Sequence, residues 1–242
     1  ELAKRAVLRV GGSSKETPTI PKEQGVSKTR RTGAAVLAGT YGRHLRKICE
    51  QEKENPMIRI LHEADYRISN WSGGKTIQLA IYPEDCDYAD RSFLWRVSSA
   101  TVDLPESDFT ALPDYLRQIT PISGEMTLQH DGGERIPVPV GTIHAFDGGA
   151  ATHSWGCCTD FNLMLRKGRA DGAMRRIACV SGAEHAVEVP EKHLCLLYCT
   201  QGELLIADTD MRIAAGDTLL TDEPLKLLAH TDAVLMEAVA SR

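Results

Sequence analysis

The sequence predicts an all-β protein: two jelly-roll barrels in tandem behind a basic, partly helical N-terminal extension. Three observations predict it. After Met57, short apolar or alternating runs recur between turn signals such as Gly73-Gly74, Asp131-Gly132-Gly133, Gly148-Gly149 and Ala215-Gly216-Asp217, the pattern of a β-sandwich or barrel. Thr120–Leu128 is echoed by Leu197–Ile206: each is an apolar strand, a Gly-Glu turn and a second strand, followed by a glycine (Gly141, Gly216) that opens another strand. In jelly rolls such turns fold the strand back across the barrel. The charge also divides. Residues 1–56 hold 12 Lys/Arg against 6 Asp/Glu, and the remainder holds 16 against 27. The expected units are therefore a basic extension, 1–56, and an acidic β domain, 57–242.

Taken in order, residues 1–32 are rich in breakers and polar groups and read as a linker or disordered arm. From Gly33 to about Lys53, Val36, Leu37, Tyr41, Leu45, Ile48 and Cys49 recur at helical spacing, with Arg43, His44, Arg46 and Lys47 on the other side. Clustered basic residues suit phosphate, so any nucleic-acid contact is expected through residues 1–56 alone; a solvated helix face is the alternative. Asn55-Pro56 ends the helix. Strands are then expected over 57–62, 76–82, 92–103, 117–119, 125–129, 143–146, 159–166, 174–179, 185–189, 194–199, 203–207, 211–213, 217–221, 225–229 and 232–240. Within 159–166, polar Asp160 and Asn162 sit at the start of a strand whose apolar positions alternate, an arrangement suited to a barrel mouth that grips something small.

With 42% hydrophobic and 25% charged residues, the composition is that of a soluble globular protein, and no apolar run reaches the length of a membrane span. No secretory signal pattern opens the chain. The seven cysteines include no C-x-x-C pair, which speaks against a zinc ribbon and for reduced thiols in a cytoplasmic protein.

An ordered set of motifs then becomes recognisable. Asp65-Tyr66-Arg67, Trp71, Gly73-Gly74-Lys75-Thr76 and Tyr82-Pro83 come first. Arg91 to Ala100 (R-S-F-L-W-R-V-S-S-A), Phe109, Leu112-Pro113, Arg117 and Gly124 follow, and Asp160-Phe161-Asn162-Leu163-Met164 with Arg166 closes the set. From Met57 to about Val239 the chain resembles the HutD/Ves family of cupin-like proteins, which implies a bicupin fold. Two places depart from the family pattern: Ser72-Gly73-Gly74-Lys75 stands where K-N-G-G-G is frequent, and Glu106 to Thr110 (E-S-D-F-T) where G-P-F-S is common. The resemblance also implies an association with histidine utilisation. The protein would bind an intermediate such as urocanate or a formylated glutamate rather than turn it over.

The residues are consistent with that expectation. Metal-bearing cupins use an H-x-H pair, which this chain lacks, although His130 and His144 could converge in the first barrel. No metal and no cofactor are therefore expected. The candidate ligand-binding set is Trp71, Gly73, Gly74, Thr76, Arg96, Arg117, Asp160, Phe161 and Asn162. Arg96 and Arg117 offer guanidinium forks for a carboxylate. Asp160 and Asn162 can accept from and donate to an amide, imidazole or hydroxyl. Trp71 and Phe161 can wall or stack on a flat ligand, and Gly73-Gly74 allows close backbone approach. The bland alternatives are a structural Arg96–Asp160 ion pair and aromatic residues that serve the core. The expected partner is a small carboxylate or imidazole-type ligand, with homodimerisation through edge strands open. The rival readings are a metal-dependent or acid–base cupin enzyme and a ligand-sensing module with a nucleic-acid-contacting arm.

Overall fold

The computed structural model describes residues 57–242. The linker and basic helix expected over 1–56 lie outside the described residues. The first half of the described chain contains β1 (Ile58–Leu61), a 3-10 turn (Glu63–Asp65), β2 (Arg67–Trp71), β3 (Gly74–Tyr82), β4 (Trp95–Val102), β5 (Glu106–Asp108), β6 (Tyr115–Gly124), β7 (Thr127–His130), β8 (Arg135–Pro137), β9 (His144–Asp147), β10 (Thr152–Trp155) and β11 (Cys158–Arg166). The second half contains β12 (Gly172–Cys179), β13 (Glu184–Val187), β14 (His193–Gln201), β15 (Glu203–Ile206), β16 (Arg212–Ala214), β17 (Thr218–Thr221), β18 (Leu225–Ala229) and β19 (Ala233–Ser241).

These strands form four separate sheets rather than closed barrels. A six-stranded sheet, β2-β3-β4-β11-β6-β9, faces a four-stranded sheet, β5-β10-β7-β8, across Val102, Ile119, Met126, Leu128, Val138 and Cys158. A five-stranded sheet, β1-β17-β14-β19-β12, faces a second four-stranded sheet, β13-β18-β15-β16, across an apolar core that includes Leu197, Leu204, Ile213, Leu227 and Leu235. The two larger sheets pack back to back through Leu79, Trp95, Phe161, Leu163, Leu196, Leu220 and Met236.

The strand orders repeat between the halves: β9-β6-β11-β4 corresponds to β17-β14-β19-β12, and β5-β10-β7-β8 to β13-β18-β15-β16. The echo in the sequence falls where the chain crosses between sheets. Gly124 (φ 81°) ends β6 and Gly202 (φ 84°) precedes β15. A Cβ would lie 2.3 Å from the Cys157 carbonyl oxygen at the first and 2.3 Å from that of Asp232 at the second. Both turns need positive φ and a backbone in close contact, which only glycine combines without strain.

Four strands went unpredicted because their sequences carry no apolar alternation. β2 is exposed throughout, and β5 and β8 are short and mostly exposed. β10 buries Thr152 and Ser154 rather than apolar side chains. β6 is far longer than the expected 117–119, because Pro121 is accommodated at a bulge. Thr159 pairs with Ser123 and Asp160 with Pro121, leaving Ile122 as the extra residue.

Period-two geometry gives β11 two roles. Phe161, Leu163 and Leu165 enter the core between the large sheets, while Asp160, Asn162 and Met164 face the interior of the first sheet pair. Phe161 is fully buried, its ring 6.2 Å from that of Tyr198. Phe161→Ala is expected to cost about 3–5 kcal/mol, the usual penalty for emptying an aromatic core position, seen as a lower midpoint in urea unfolding.

Candidate functional site

A cavity of about 250 Å³ opens between the six-stranded sheet and β5 of the facing sheet. Of the expected ligand-binding residues, Trp71, Thr76, Arg96, Arg117, Asp160 and Asn162 line it. The strand register explains their convergence. Met164 of β11 pairs with Arg96 of β4 on one side and with Arg117 of β6 on the other. The two guanidinium-bearing positions therefore flank one rung of the sheet. Asn162 and Asp160 occupy the next two rungs on the same face, each about 6.4–6.8 Å further along.

Three expected residues lie elsewhere. Phe161 points to the opposite face of β11 because neighbouring strand residues alternate. Gly73 and Gly74 form the β2–β3 turn and border a separate surface depression with Lys75 and Asp103. Their small size serves packing. A Cβ on Gly73 would strike the Trp71 ring at 2.1 Å, and one on Gly74 would meet the Thr101 carbonyl oxygen at 1.9 Å. Gly73 thus makes room for the indole that lines the cavity.

The charged groups are deeply buried and thinly partnered. Arg96 Nε donates to Gln78 Oε1 at 2.8 Å and its Nη1 to Ser98 Oγ at 3.0 Å. Its guanidinium lies over the Tyr88 ring, 4.3 Å from the centroid. The Arg117 guanidinium sits 4.7 Å from the Phe109 ring centroid and 5.2 Å from that of Phe146, and its buried Nε has no hydrogen-bond partner. Asn162 Oδ1 is likewise buried without a partner. Asp160 Oδ1 accepts a hydrogen bond of 3.3 Å from the Ala100 N–H. Among the described residues, no ion pair within 4.0 Å joins Asp160 to either arginine, so the structural Arg96–Asp160 pair is not formed.

Burial dominates the electrostatics. It lowers both guanidinium pKa values to about 10. It pushes the Asp160 carboxyl up to about 7, against the opposing pull of Arg117, the Ala100 N–H and Arg96. The cavity lining holds two cations, the buried Asp160 carboxyl raised to about 7, and the exposed carboxylate of Asp108.

Sequence reasoning missed Tyr88 and Phe109 as the aromatic rests of the two arginines. Phe109 belongs to the family pattern, but nothing in its spacing ties it to Arg117. Tyr88 lies in an irregular loop with no period to read. The Glu106 to Thr110 stretch, which departs from that pattern, supplies Ser107 to Thr110 of the cavity wall. Asp108 is fixed there by His153, whose Nδ1 lies 2.7 Å from its carboxylate. Arg166 serves the frame: its Nε donates to the Phe93 carbonyl at 3.0 Å and its Nη2 to the Tyr115 hydroxyl at 2.9 Å.

His130 and His144 do converge, beside Phe146. Their Nε2 atoms are 2.8 Å apart, the ring centroids 5.1 Å apart and the planes 3° apart, so the nitrogens point at one another within a common plane. Thr152 Oγ lies 2.8 Å from His130 Nδ1 and 3.2 Å from the Ala150 carbonyl. Of the two facing Nε2 atoms, one carries the proton and the other accepts it. Burial lowers the pKa of both rings. Among the described residues, no three His, Cys, Asp or Glu side chains cluster as metal ligands, and no helix is long and apolar enough to cross a membrane.

Comparison with known proteins decides the kinship. The HutD family model matches residues 63–236, well over half of the chain. The chain belongs to the HutD family. A conserved protein of unknown function from Pseudomonas aeruginosa PAO1 is 26% identical, with a TM-score of 0.65, over 77% of this chain and 100% of that one. HutD from Pseudomonas fluorescens SBW25 is 21% identical, with a TM-score of 0.59, over 75% and 98% of the two chains. The nickel(II) complex of the bacterial pirin YhhW from Escherichia coli, 10% identical with a TM-score of 0.60 over 75% and 98%, shares the cupin-like fold. No curated protein matches the sequence. This HutD chain therefore carries a cupin-like, all-β fold, with Arg96 and Arg117 on an interior face.

Asp160 also makes stability depend on pH. Between its ordinary value of 3.8 and about 7, the folded chain holds a proton that the unfolded chain has released. That group's contribution to stability therefore falls as pH rises through this window. Asp160→Asn removes the dependence. Its melting temperature relative to wild type is expected to be more favourable at pH 8 than at pH 4.5, and an unchanged difference would refute the assignment.

Proposed function

We propose that this HutD protein is a small-molecule binding protein that holds a small carboxylate between Arg96 and Arg117, in the first of two tandem cupin-like units. The observation that carries this reading is the Arg117 guanidinium: it is 7% exposed, lines the cavity, and among the described residues makes no hydrogen bond. An unsatisfied buried donor costs about 1–3 kcal/mol, and more when charged, so the site is built at the expense of the empty protein's stability. A carboxylate supplies two acceptors in the geometry a guanidinium prefers. The two guanidinium groups are buried, while the second carboxylate of the lining, Asp108, is 85% exposed and held by His153, so the buried charge favours an anion. Matching strand orders in the two halves support the tandem reading.

Kinship with HutD proteins points to histidine degradation, with urocanate and N-formylglutamate as the first ligands to try. Both carry a carboxylate and fit the polarity of the lining. Among the described residues no histidine or cysteine lines the cavity, and we read the site as one for binding, with a role in tuning flux. Isothermal titration with the two compounds tests the proposal. At least one is expected to bind, and Arg117→Gln to weaken it about 10- to 100-fold, the weight of a charge-assisted hydrogen bond. No binding of either at millimolar concentration would remove the histidine-pathway assignment.

A further inference from the structure

We infer that the ligand must bring, besides its carboxylate, an N–H or O–H donor that Asp160 accepts. The inference rests on the carboxylate reading and adds the chemical class of ligand: N-acyl amino acids, hydroxy acids and azole acids rather than plain carboxylates.

The cavity wall has a direction. At the Met164 rung, Arg96 and Arg117 present donors, and among the described residues no acceptor takes a hydrogen bond from the Arg117 guanidinium. Two rungs along β11, Asp160 presents acceptors. Its Oδ1 takes the Ala100 N–H at 3.3 Å, and among the described residues no donor reaches Oδ2. Between them, Asn162 Oδ1 is a second acceptor without a partner. Unpaired donors therefore stand at one end and the open carboxylate oxygen of Asp160 at the other, with Asn162 Oδ1 closed off from the cavity; the side chains are buried, Arg117 7% exposed, Asp160 4% and Asn162 4%.

A plain carboxylate would complete only the arginine end, leaving Asp160 facing a methylene or a second anion. That arrangement keeps a buried carboxylate short of a hydrogen bond and places like charges in one small cavity. A ligand N–H or O–H resolves both. The ordered neighbours do not compete for this role. Ser98 is engaged by Arg96, and the Ser99 hydroxyl donates to the Asp160 backbone carbonyl at 2.6 Å, leaving the carboxylate untouched. Carbonyl-rich ligands without such a donor are disfavoured for the same reason.

The test compares two small acids that differ by one group. N-acetylglycine and levulinate are isosteres in which N–H is exchanged for CH2. Calorimetric titration of the wild-type chain at pH 8 keeps Asp160 ionised, above the value near 7 to which burial raises it. The N–H compound is expected to bind at least about tenfold more tightly, as one unmet buried hydrogen bond requires. Asp160→Ala is expected to bring the two within about threefold while still binding both. Two wild-type affinities closer than about tenfold overturn the inference and leave the carboxylate reading standing, and so does a preference that survives in Asp160→Ala. Failure of both acids to bind removes the carboxylate reading itself, and this inference with it. The wild-type comparison decides even where the variant does not fold.

Discussion

Two guanidinium groups are held away from water inside the first sheet pair, and much of the surrounding structure accommodates them. Leaving a charge buried without a matched counter-ion is among the costliest arrangements a fold can adopt. Here the expense is spread over several weaker contacts. Arg96 takes an amide, a hydroxyl and an aromatic face, and Arg117 takes two phenyl rings. Asp160 offers charge at a distance rather than a salt bridge. The arginines are stabilised enough to persist yet retain unmet hydrogen-bonding capacity, the condition a binding site needs before its ligand arrives.

The back-to-back packing of the two large sheets makes this tolerable. β11 lies third from one edge of the six-stranded sheet, and its apolar face is sealed against the five-stranded sheet by Phe161, Leu163 and Leu165. The opposite face can then carry Asp160 and Asn162 without loosening the strand, since its backbone is paired on both sides. The second sheet pair shows the contrast. Its facing sheets meet over an aliphatic and cysteine core, and Cys195 and Cys199 are raised in pKa to the inert range by burial. One half meets over an apolar core and the other keeps a polar chamber, though both use the same strand order.

The halves also differ in how their crossing turns are used. Gly124 and Gly202 solve the same steric problem at equivalent places. The bulge in β6 near Pro121 lies at Asp160, and the corresponding irregularity in β14 lies between Cys199 and Gln201. In the first half that distortion borders the polar chamber. In the second, the Cys199 thiol faces the Gln201 and Gly202 carbonyls.

Much of the fold was legible in the sequence because apolar alternation and glycine turns are local signals. Strands with that alternation other than β6 lie within a few residues of their expected bounds, and the repeat is visible as a Gly-Glu echo. Strands without it, β2, β5, β8 and β10, were invisible, since their pairing depends on partners distant in sequence. The site divides in the same way. Arg96, Arg117, Asp160 and Asn162 could be named from residue type and family pattern, and period-two spacing placed Asp160 and Asn162 on one face. Only tertiary structure could show that Met164 aligns the two arginines across β11, that Phe161 faces the other way, that the two glycines make room rather than grip, and that Tyr88 and Phe109 underlie the charges. The physical reason is register: sequence sets which face a residue takes along its own strand, but which residue lies beside it is set by hydrogen bonding to strands that may be dozens of positions away.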